Sequence, residues 1–245
     1  MTFRIVAFAC ATAALLLAGC ANPPQHAASG PPNPWAGSTS EPWTHKAFPG
    51  KTPTHYAYAR LDGRDAVHVR ADASASMLRQ AVRIEPAQLG RLRFSWKVPA
   101  LIAHADLAVR DKDDAPVRIV LAFEGDRSRF SRRDAALAEL VRSVMGEEMP
   151  YATLMYVWCN ERPPGTVIRS PRTDRVRKLV VESGPARLGT WLDYERDVRA
   201  DFQRVFGEKP GALVGVAIMT DSDNTRSRTQ AWYGPLRFLP VDPRH

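Results

Sequence analysis

Short runs of alternating apolar and polar positions follow one another along the chain from residue 43 onward. The clearest is Arg91–Val98, where every second side chain is apolar and the others are polar, as in a β-strand with one buried face. In Ala66–Arg70 the same alternation turns two valines inward and His68 outward. Turn signals such as Asp62-Gly63 separate the runs, and this pattern favours a β-sandwich or barrel. The other strand-like runs are Thr54–Arg60, Ser76–Ile84, Val117–Phe123, Leu154–Cys159, Arg175–Glu182, Leu213–Met219 and Thr229–Phe238.

Two of these runs, Val214–Met219 and Leu154–Cys159, contain apolar residues or glycine on both faces. A run of this kind belongs in the middle of a sheet that is covered on both sides. We therefore expect Cys159 to be a small buried hydrophobic residue rather than a nucleophile.

Two segments with helical periodicity interrupt the strands. The first follows Ser131-Arg132-Arg133-Asp134, which has the form of a capping box, and Gly146 can end it. Its apolar residues stand at i, i+3, i+4, i+7 and i+8 from Leu137. The second is expected to begin near Thr190, where another box-like motif stands, and to end at Gly207. We expect both helices to pack on the surface of the sandwich, and a mobile lid is the alternative.

The first twenty residues have the pattern of a bacterial export signal. Arg4 precedes the apolar segment Ile5–Leu17, which is shorter than the roughly 20 residues that a membrane-spanning helix needs. The ending Leu17-Ala18-Gly19-Cys20 resembles the lipoprotein box, in which the cysteine receives a diacylglycerol and becomes the new N-terminus. A plain secretory signal is the alternative. Because Ala21 follows where an aspartate would suggest inner-membrane retention in similar lipoproteins, we expect an outer-membrane lipoprotein that faces the periplasm.

These features divide the chain into three predicted parts. Residues 1–19 form the signal peptide, residues 20–42 carry the acylated Cys20 and a proline-rich tether, and residues 43–245 form a single β-sandwich domain. Once Cys10 has left with the signal and Cys20 carries lipid, Cys159 has no partner for an internal disulfide.

The net charge of +8 comes from arginines that are scattered along the chain, without a run of five or six basic residues. No helix-turn-helix, zinc-finger or aromatic RNA-platform motif accompanies them. A nucleic-acid partner is therefore not expected.

Several short motifs stand in order between residues 48 and 238, and together they cover nearly all of the predicted domain. They are Ala71-Asp72-Ala73-Ser74-Ala75-Ser76, Phe94-Ser95-Trp96-Lys97-Val98, Asp113-Asp114-Ala115-Pro116-Val117-Arg118-Ile119, Tyr156-Val157-Trp158, Val181-Glu182-Ser183-Gly184, Phe206-Gly207, Met219-Thr220-Asp221-Ser222-Asp223-Asn224-Thr225 and Ala231-Trp232-Tyr233-Gly234. This set resembles the bacterial family catalogued as domain of unknown function 3047. The family has no assigned activity, so the resemblance implies no catalytic residues. It implies an all-β fold with helical insertions, a jelly-roll-like sandwich similar to galactose-binding and other carbohydrate-binding modules. The chain departs from the family pattern at Gly234-Pro235, where an aspartate is expected after the glycine.

The polar loop Thr220–Thr225 ends one of the central runs and is the first candidate site. Asp221, Asp223 and Asn224 are spaced as at the start of a calcium loop, but Arg226 stands where an EF-hand has glycine. Asx-turns that close the strand are the expected structure, and a structural calcium ion held partly by other loops is the alternative. No other cofactor is expected.

A second acidic group, Asp111–Asp114, stands just before Arg118. Because the later residues of that strand are apolar on both faces, the guanidinium of Arg118 needs a carboxylate partner, for which Glu182 is the candidate. A ligand-binding arginine is the alternative. Trp232 and Tyr233 are adjacent in a strand, so one of the two points away from the core, where it could stack on a sugar ring.

Enzyme signatures such as G-x-S-x-G, H-E-x-x-H and the phosphate loop are absent, and the six histidines lack the spacing of zinc ligands. We therefore favour a lipid-anchored envelope protein that binds a carbohydrate or envelope polymer without catalysis. A glycan-acting hydrolase that uses paired carboxylates and a scaffold lipoprotein for protein partners are the alternatives. The predicted ligand-binding residues are Arg118, Asp113, Asp114, Asp221, Asp223, Asn224, Trp232 and Tyr233.

Overall fold

Two β-sheets lie face to face and enclose a core of interleaved apolar side chains. A computed structural model describes residues 42–241 of the chain. The predicted signal peptide, Cys20 and all of the predicted tether except Pro42 lie outside the described residues. The strands are β1 (Thr44–Ala47), β2 (His55–Leu61), β3 (Arg64–Asp72), β4 (Ser76–Ile84), β5 (Arg91–Lys97), β6 (Ala115–Phe123), β7 (Ala152–Cys159), β8 (Val167–Arg169), β9 (Val176–Ser183), β10 (Trp191–Asp197), β11 (Leu213–Asp221), β12 (Arg228–Tyr233) and β13 (Arg237–Leu239), and the helices are α1 (Arg132–Met145) and α2 (Val198–Phe206).

The connectivity of the sheets is that of a jelly roll. The seven-stranded sheet has the order β1-β4-β11-β6-β7-β9-β8, and the six-stranded sheet has the order β10-β5-β12-β3-β2, with β13 beside β5. Successive strands from β3 to β6 alternate between the two sheets. The antiparallel neighbours β3–β12, β4–β11, β5–β10 and β6–β7 give the eight-strand double Greek key. The predicted jelly-roll-like, all-β sandwich with helical insertions is confirmed.

Strand β5 shows how the sequence pattern produces the core. Leu92, Phe94 and Trp96 are buried against the opposite sheet, whereas Arg91 and Arg93 on the other face are exposed. Burying a side chain of this size stabilises the fold by about 1.5–3 kcal/mol relative to leaving it in water. The predicted alternation over β5 is confirmed.

Strand β6, by contrast, is buried on both faces. The residues between β5 and β6 fold over the outward face of the seven-stranded sheet and bury Leu107 there. Leu107 packs with Val157 and with Cys159, which is only 2% exposed. The prediction that Cys159 is a small buried hydrophobic residue is confirmed.

Helix α1 begins as the sequence predicts. The amide of Asp134 donates to Ser131 Oγ at 3.1 Å, and Ser131 Oγ donates to Asp134 Oδ2 at 2.8 Å. Gly146 ends the helix with a positive φ of 67°, which glycine adopts without steric cost.

The predicted start of the second helix is wrong. Trp191–Asp197 forms strand β10, which pairs with β5, and the helix begins only at Val198. Asp197 caps it by accepting the amide of Ala200 at 2.9 Å. Pairing with β5 overrides the local capping-box signal at Thr190, whose hydroxyl donates instead to the carbonyl of Arg187. Across the described residues, no helix combines the length and apolarity that a membrane span needs.

Candidate functional site

Arg118 lies at the centre of a buried charge cluster on the outward side of the seven-stranded sheet. Its side chain is 3% exposed and donates from Nε to Asp221 Oδ1 at 2.8 Å and from Nη2 to Asp221 Oδ2 at 3.0 Å. It also donates to the backbone and side chain of Asp113, at 2.8 and 3.1 Å. The expectation of a paired arginine is therefore confirmed, and two carboxylates hold it.

The predicted partner, Glu182, is wrong. A bulge in β9 places Glu182 opposite Trp158, on the face toward the six-stranded sheet, whereas Arg118 points away from that sheet. Glu182 instead accepts hydrogen bonds from Arg187 at 3.0 Å and from the hydroxyl of Tyr194 at 2.8 Å.

Lys178 completes the cluster, although it was not among the residues predicted from the sequence. Its side chain is fully buried and donates to Asp113 Oδ2 at 2.6 Å and to the carbonyl of Leu107 at 2.7 Å. Burial, reinforced by the nearby Arg118 cation, lowers the pKa of Lys178 to about 8. Burial also raises the pKa of Asp221 to about 6, against the opposing effect of Arg118. One sequence signal could have identified Lys178: it is a lysine on a strand face that otherwise carries apolar residues.

The loop Thr220–Thr225 is held to the preceding acidic loop through Asp114. This carboxylate is 1% exposed and accepts the amides of Asn224 at 3.2 Å and Thr225 at 2.7 Å, together with the Thr225 hydroxyl at 2.6 Å. Asn224 donates in turn to the carbonyl of Arg110, and Asp223 accepts Lys51 Nζ at 2.5 Å. The loop therefore closes β11 and fastens it to the start of β6.

Three carboxylates of this region, Asp114, Asp221 and Asp223, each offer an oxygen atom within 4.8 Å of the others. Calcium takes six to eight oxygen ligands and would have to compete with the N–H and hydroxyl donors that these carboxylates already accept. Lys51 and Arg118 already supply positive charge beside them. The described residues therefore do not fit a calcium site without releasing these bonds.

Tyr233 is fully buried between the two sheets. Its hydroxyl donates to the carbonyl of Met219 at 2.6 Å, lies 2.9 Å from Thr220 Oγ1 and accepts the amide of Arg118 at 3.1 Å. Burial raises the pKa of this phenol well above its usual range. The tyrosine thus links the sheets through hydrogen bonds.

Trp232 faces the opposite way, on the outer face of the six-stranded sheet. It stands opposite His68 on β3 and Lys97 on β5, and Lys97 stands opposite Trp191 on β10. The rings of Trp232 and His68 are stacked, with centroids 4.6 Å apart and planes at 4°. Because neighbouring strands are about 4.8 Å apart, the two tryptophan backbones lie about 10 Å from each other across the sheet. We name Trp191, Lys97, Trp232 and His68 the aromatic row.

A groove of about 640 Å³ lies beside the aromatic row on the same sheet. The outward side chains of β3 and β12 form its floor, and residues 99–101 form part of its wall. Gln230 joins the groove to the row, because its Oε1 lies 2.9 Å from His68 Nε2. The exposed polar side chains that line the groove include His55, Arg70, Asp72, Arg228 and Gln230. The alternation over residues 66–70 predicted that His68 points outward. The groove residues come together only through the order of the strands in the sheet, which the alternation does not give.

The predicted ligand-binding residues thus occupy three separate places. Arg118, Asp113 and Asp221 form the buried cluster, and Asp114, Asp223 and Asn224 belong to the adjoining loops. Trp232 lies on the outer face of the other sheet, and Tyr233 lies in the core between the sheets. The departure at Gly234-Pro235 also falls on the six-stranded sheet, where the amide of Gly234 donates to the carbonyl of Ser95.

Comparison with solved structures returns remote matches to sugar-related proteins. They include the xyloglucanase domain of NopAA, a type three effector from Sinorhizobium fredii, in complex with cellobiose, at 10% identity and a TM-score of 0.44, covering 81% of this chain and 93% of that one. TmCBM61 in complex with β-1,4-galactotriose matches at 12% identity and a TM-score of 0.33, covering 82% and 89%. The endo-1,4-β-glucanase CelB2, a cellulase, matches at 12% identity and a TM-score of 0.37, covering 85% and 90%. Similarity this low decides nothing about function.

At the level of sequence, no curated protein matches the chain. One family profile, described as "Protein of unknown function (DUF3047)", matches residues 41–237. The match covers the whole sandwich from just before β1 into β13 and contains every motif on which the resemblance rested. The chain belongs to the DUF3047 family.

Proposed function

We propose that this protein is a lipid-anchored cell-envelope protein that binds a glycan without catalysis, on the outward face of its six-stranded sheet. The observation that carries the proposal is the aromatic row and its position beside a polar groove. The C–H face of a sugar ring stacks on an indole, and planar polar side chains hydrogen-bond its hydroxyls. Trp232 supplies the stacking surface, while Gln230 and Arg70 supply the adjacent donors and acceptors.

This proposal moves the polar half of the site away from the loop at Thr220–Thr225. Asp223 is held by Lys51, and Arg118 is buried with its guanidinium engaged by two carboxylates. These groups would have to break existing bonds before they could bind hydroxyls, and they lie on the other sheet from Trp232. The groove residues are exposed, and the bonds that they make with their neighbours, such as Arg228 with Asp72 and Gln230 with His68, lie at the surface, where exchange with a ligand costs little.

The same burial argues against a glycan hydrolase. Such an enzyme needs two carboxyl groups that flank an accessible glycosidic bond. Asp113, Asp114 and Asp221 are all less than 8% exposed and accept hydrogen bonds from the protein. We propose no second function from them.

The anchor is proposed at Cys20, on the lipoprotein-box sequence. Acylation there would hold the sandwich at the membrane surface through residues 21–42. We expect the full chain to fractionate with the outer membrane and the Cys20→Ser variant to appear in the soluble periplasmic fraction. Mass spectrometry of an unacylated mature N-terminus would refute the anchor without touching the glycan proposal.

The test of glycan binding is a titration of the full chain against soluble envelope polysaccharides, supported by a peptidoglycan pull-down. We expect Trp232→Ala to weaken binding about tenfold or more, since a lost stacking contact of roughly 1.4 kcal/mol is a factor of ten. Gln230→Ala should also weaken it, while Asp223→Ala serves as the control and should bind like the parent. Loss of binding in Asp223→Ala but not in Trp232→Ala would place the site at the loop instead. Recovery of a protein partner and no glycan would favour the scaffold alternative.

A further inference from the structure

Helix α1 lies over the seven-stranded sheet but packs poorly against it. Of its fourteen residues only the polar Asp134 is buried. Leu140 and Val144 are 59% and 57% exposed, and Val141 and Met145 are half-buried. A surface helix ordinarily buries its apolar stripe against the core. Within residues 42–241, the apolar side of α1 is therefore not fully covered.

A cavity of about 570 Å³ separates α1 from the sheet. Val120 and Ala217, on the outward faces of β6 and β11, contribute to its floor, and Val141 and Met145 contribute the α1 side. Four methionines line the cavity, and among its apolar residues only valine is more frequent. They are Met77, Met145, Met149 and Met155. Unbranched thioether chains adapt to ligands of variable shape, and the volume lies within the roughly 300–1,000 Å³ of ligand pockets.

The rim of this cavity is a carboxylate-binding site that the protein fills itself. Glu147 directly follows Gly146, the C-cap of α1, and accepts Lys46 Nζ at 2.7 Å. It also accepts two bonds from Arg79, at 2.6 and 2.8 Å. The two cations come from β1 and β4, whereas Glu147 is attached to the helix. Another carboxylate at this position would replace Glu147 and release the end of α1 from the sheet.

We propose that this cavity binds a long-chain fatty acid, with its aliphatic chain between α1 and the sheet and its carboxylate on Lys46 and Arg79. The apolar floor excludes sugars, because it offers their hydroxyls no adequate set of partners. The charge of the two rim cations selects an acid over a neutral lipid. In this arrangement α1 acts as a lid, and its exposed apolar residues move inward when the chain enters. The site lies on the other sheet from the proposed glycan groove, so the two proposals stand independently.

The experiment is displacement of a fluorescent fatty acid from the full chain by palmitate. We expect the fluorescent fatty acid to bind the parent protein saturably and palmitate to displace it. Ala217→Trp fills the cavity floor and should abolish binding, while Ala135→Trp, on the exposed side of α1, should leave it unchanged. Absence of palmitate binding by the parent, or equal binding by folded Ala217→Trp, would overturn the proposal.

A second variant keeps the test meaningful if Ala217→Trp does not fold. Arg79→Gln should weaken palmitate about tenfold and leave the affinity for hexadecanol unchanged, since only the acid uses the rim cation. An equal loss for the acid and the alcohol, or no loss for either, contradicts the assigned head-group site. If palmitate does not displace the fluorescent fatty acid from the parent protein, the proposal is wrong. It is also wrong if the chain's own N-terminal segment is found to occupy the cavity.

Discussion

Arg118 and Asp221 form a bidentate ion pair in which both side chains are buried, with hydrogen bonds of 2.8 and 3.0 Å. The pair joins β6 to β11 at the centre of the seven-stranded sheet. Although burial opposes it, the charges of Asp221 and Asp113 raise the pKa of Arg118 further above its usual value. The guanidinium is therefore permanently charged, and removing it leaves a buried carboxylate without compensation.

The Arg118→Met variant should lose about 3–5 kcal/mol of unfolding free energy, the usual cost of stranding one member of a buried pair. The double variant Arg118→Met/Asp221→Asn should recover most of that loss, because no uncompensated charge remains at Asp221. Urea denaturation of both variants measures the difference. The exposed pair Arg228–Asp72 provides the control, where Arg228→Met should cost less than about 1 kcal/mol. Equal losses in the single and double variants would show that the charge pairing is not what matters.

Tyr233→Phe should lower the unfolding free energy by about 1–3 kcal/mol and leave glycan affinity unchanged. The lost hydroxyl strands the amide of Arg118 and the carbonyl of Met219 inside the core. Chemical denaturation and the glycan titration measure the two effects on one sample. A selective loss of glycan binding with unchanged stability would instead make Tyr233 a ligand contact.

The Glu147→Gln variant should be less stable than the parent at pH 7, and the gap should close as the pH falls toward 2. Hydrogen bonds from Arg79 and then Lys46 lower the pKa of Glu147 to about 2, below the value of the unfolded chain. A depressed carboxyl pKa contributes stability above the unfolded value that is lost as the pH falls through the folded one. Because the side chain is 40% exposed, solvent screening limits the gap to about 0.5–1 kcal/mol.

Glu139→Gln is the matched control for that measurement, since Glu139 pairs with Arg142 on the exposed surface of α1. We expect a change of only a few tenths of a kcal/mol there, typical of exposed helix pairs. A gap for Glu147→Gln that does not change between pH 7 and pH 3 would contradict the assigned pairing.

Chelation by EDTA should not change the melting temperature of the protein. The oxygens of Asp114 and Asp221 already accept amide, hydroxyl and guanidinium donors, and Asp223 accepts Lys51. Differential scanning calorimetry with added calcium and with chelator tests this. A calcium-dependent rise would mean that the ion displaces these donors.

The sequence predicted the strands well wherever one face is buried. Alternation located β4 and β5 to within a residue, and the runs that are apolar on both faces identified β7 and β11 as central strands. Local periodicity failed at Trp191–Asp197, because an edge strand that pairs with β5 carries apolar residues at spacings that also suit a helix. Pairing of that kind depends on residues far away in the chain, which a local window does not contain.

The candidate sites were predicted less completely for a related reason. Arg118 was recognised as needing a carboxylate, but its partner depended on which face Glu182 occupies, and one bulge in β9 changes that face. The aromatic row could not be foreseen, because it assembles side chains from four strands whose order is set by the jelly-roll connectivity. The alternation predicted only that His68 points outward and that one of Trp232 and Tyr233 does so.

The jelly-roll order has a consequence for when the chain can fold. Strands β3 and β4 find their neighbours β12 and β11 only near the end of the chain, and β5 finds β10 only slightly earlier. Most of the N-terminal half therefore cannot close a sheet until synthesis is nearly finished, and contacts between such distant segments form slowly. A polypeptide that delays folding in this way remains unfolded for longer, so late closure of the sandwich is compatible with the export across a membrane that we propose for this chain.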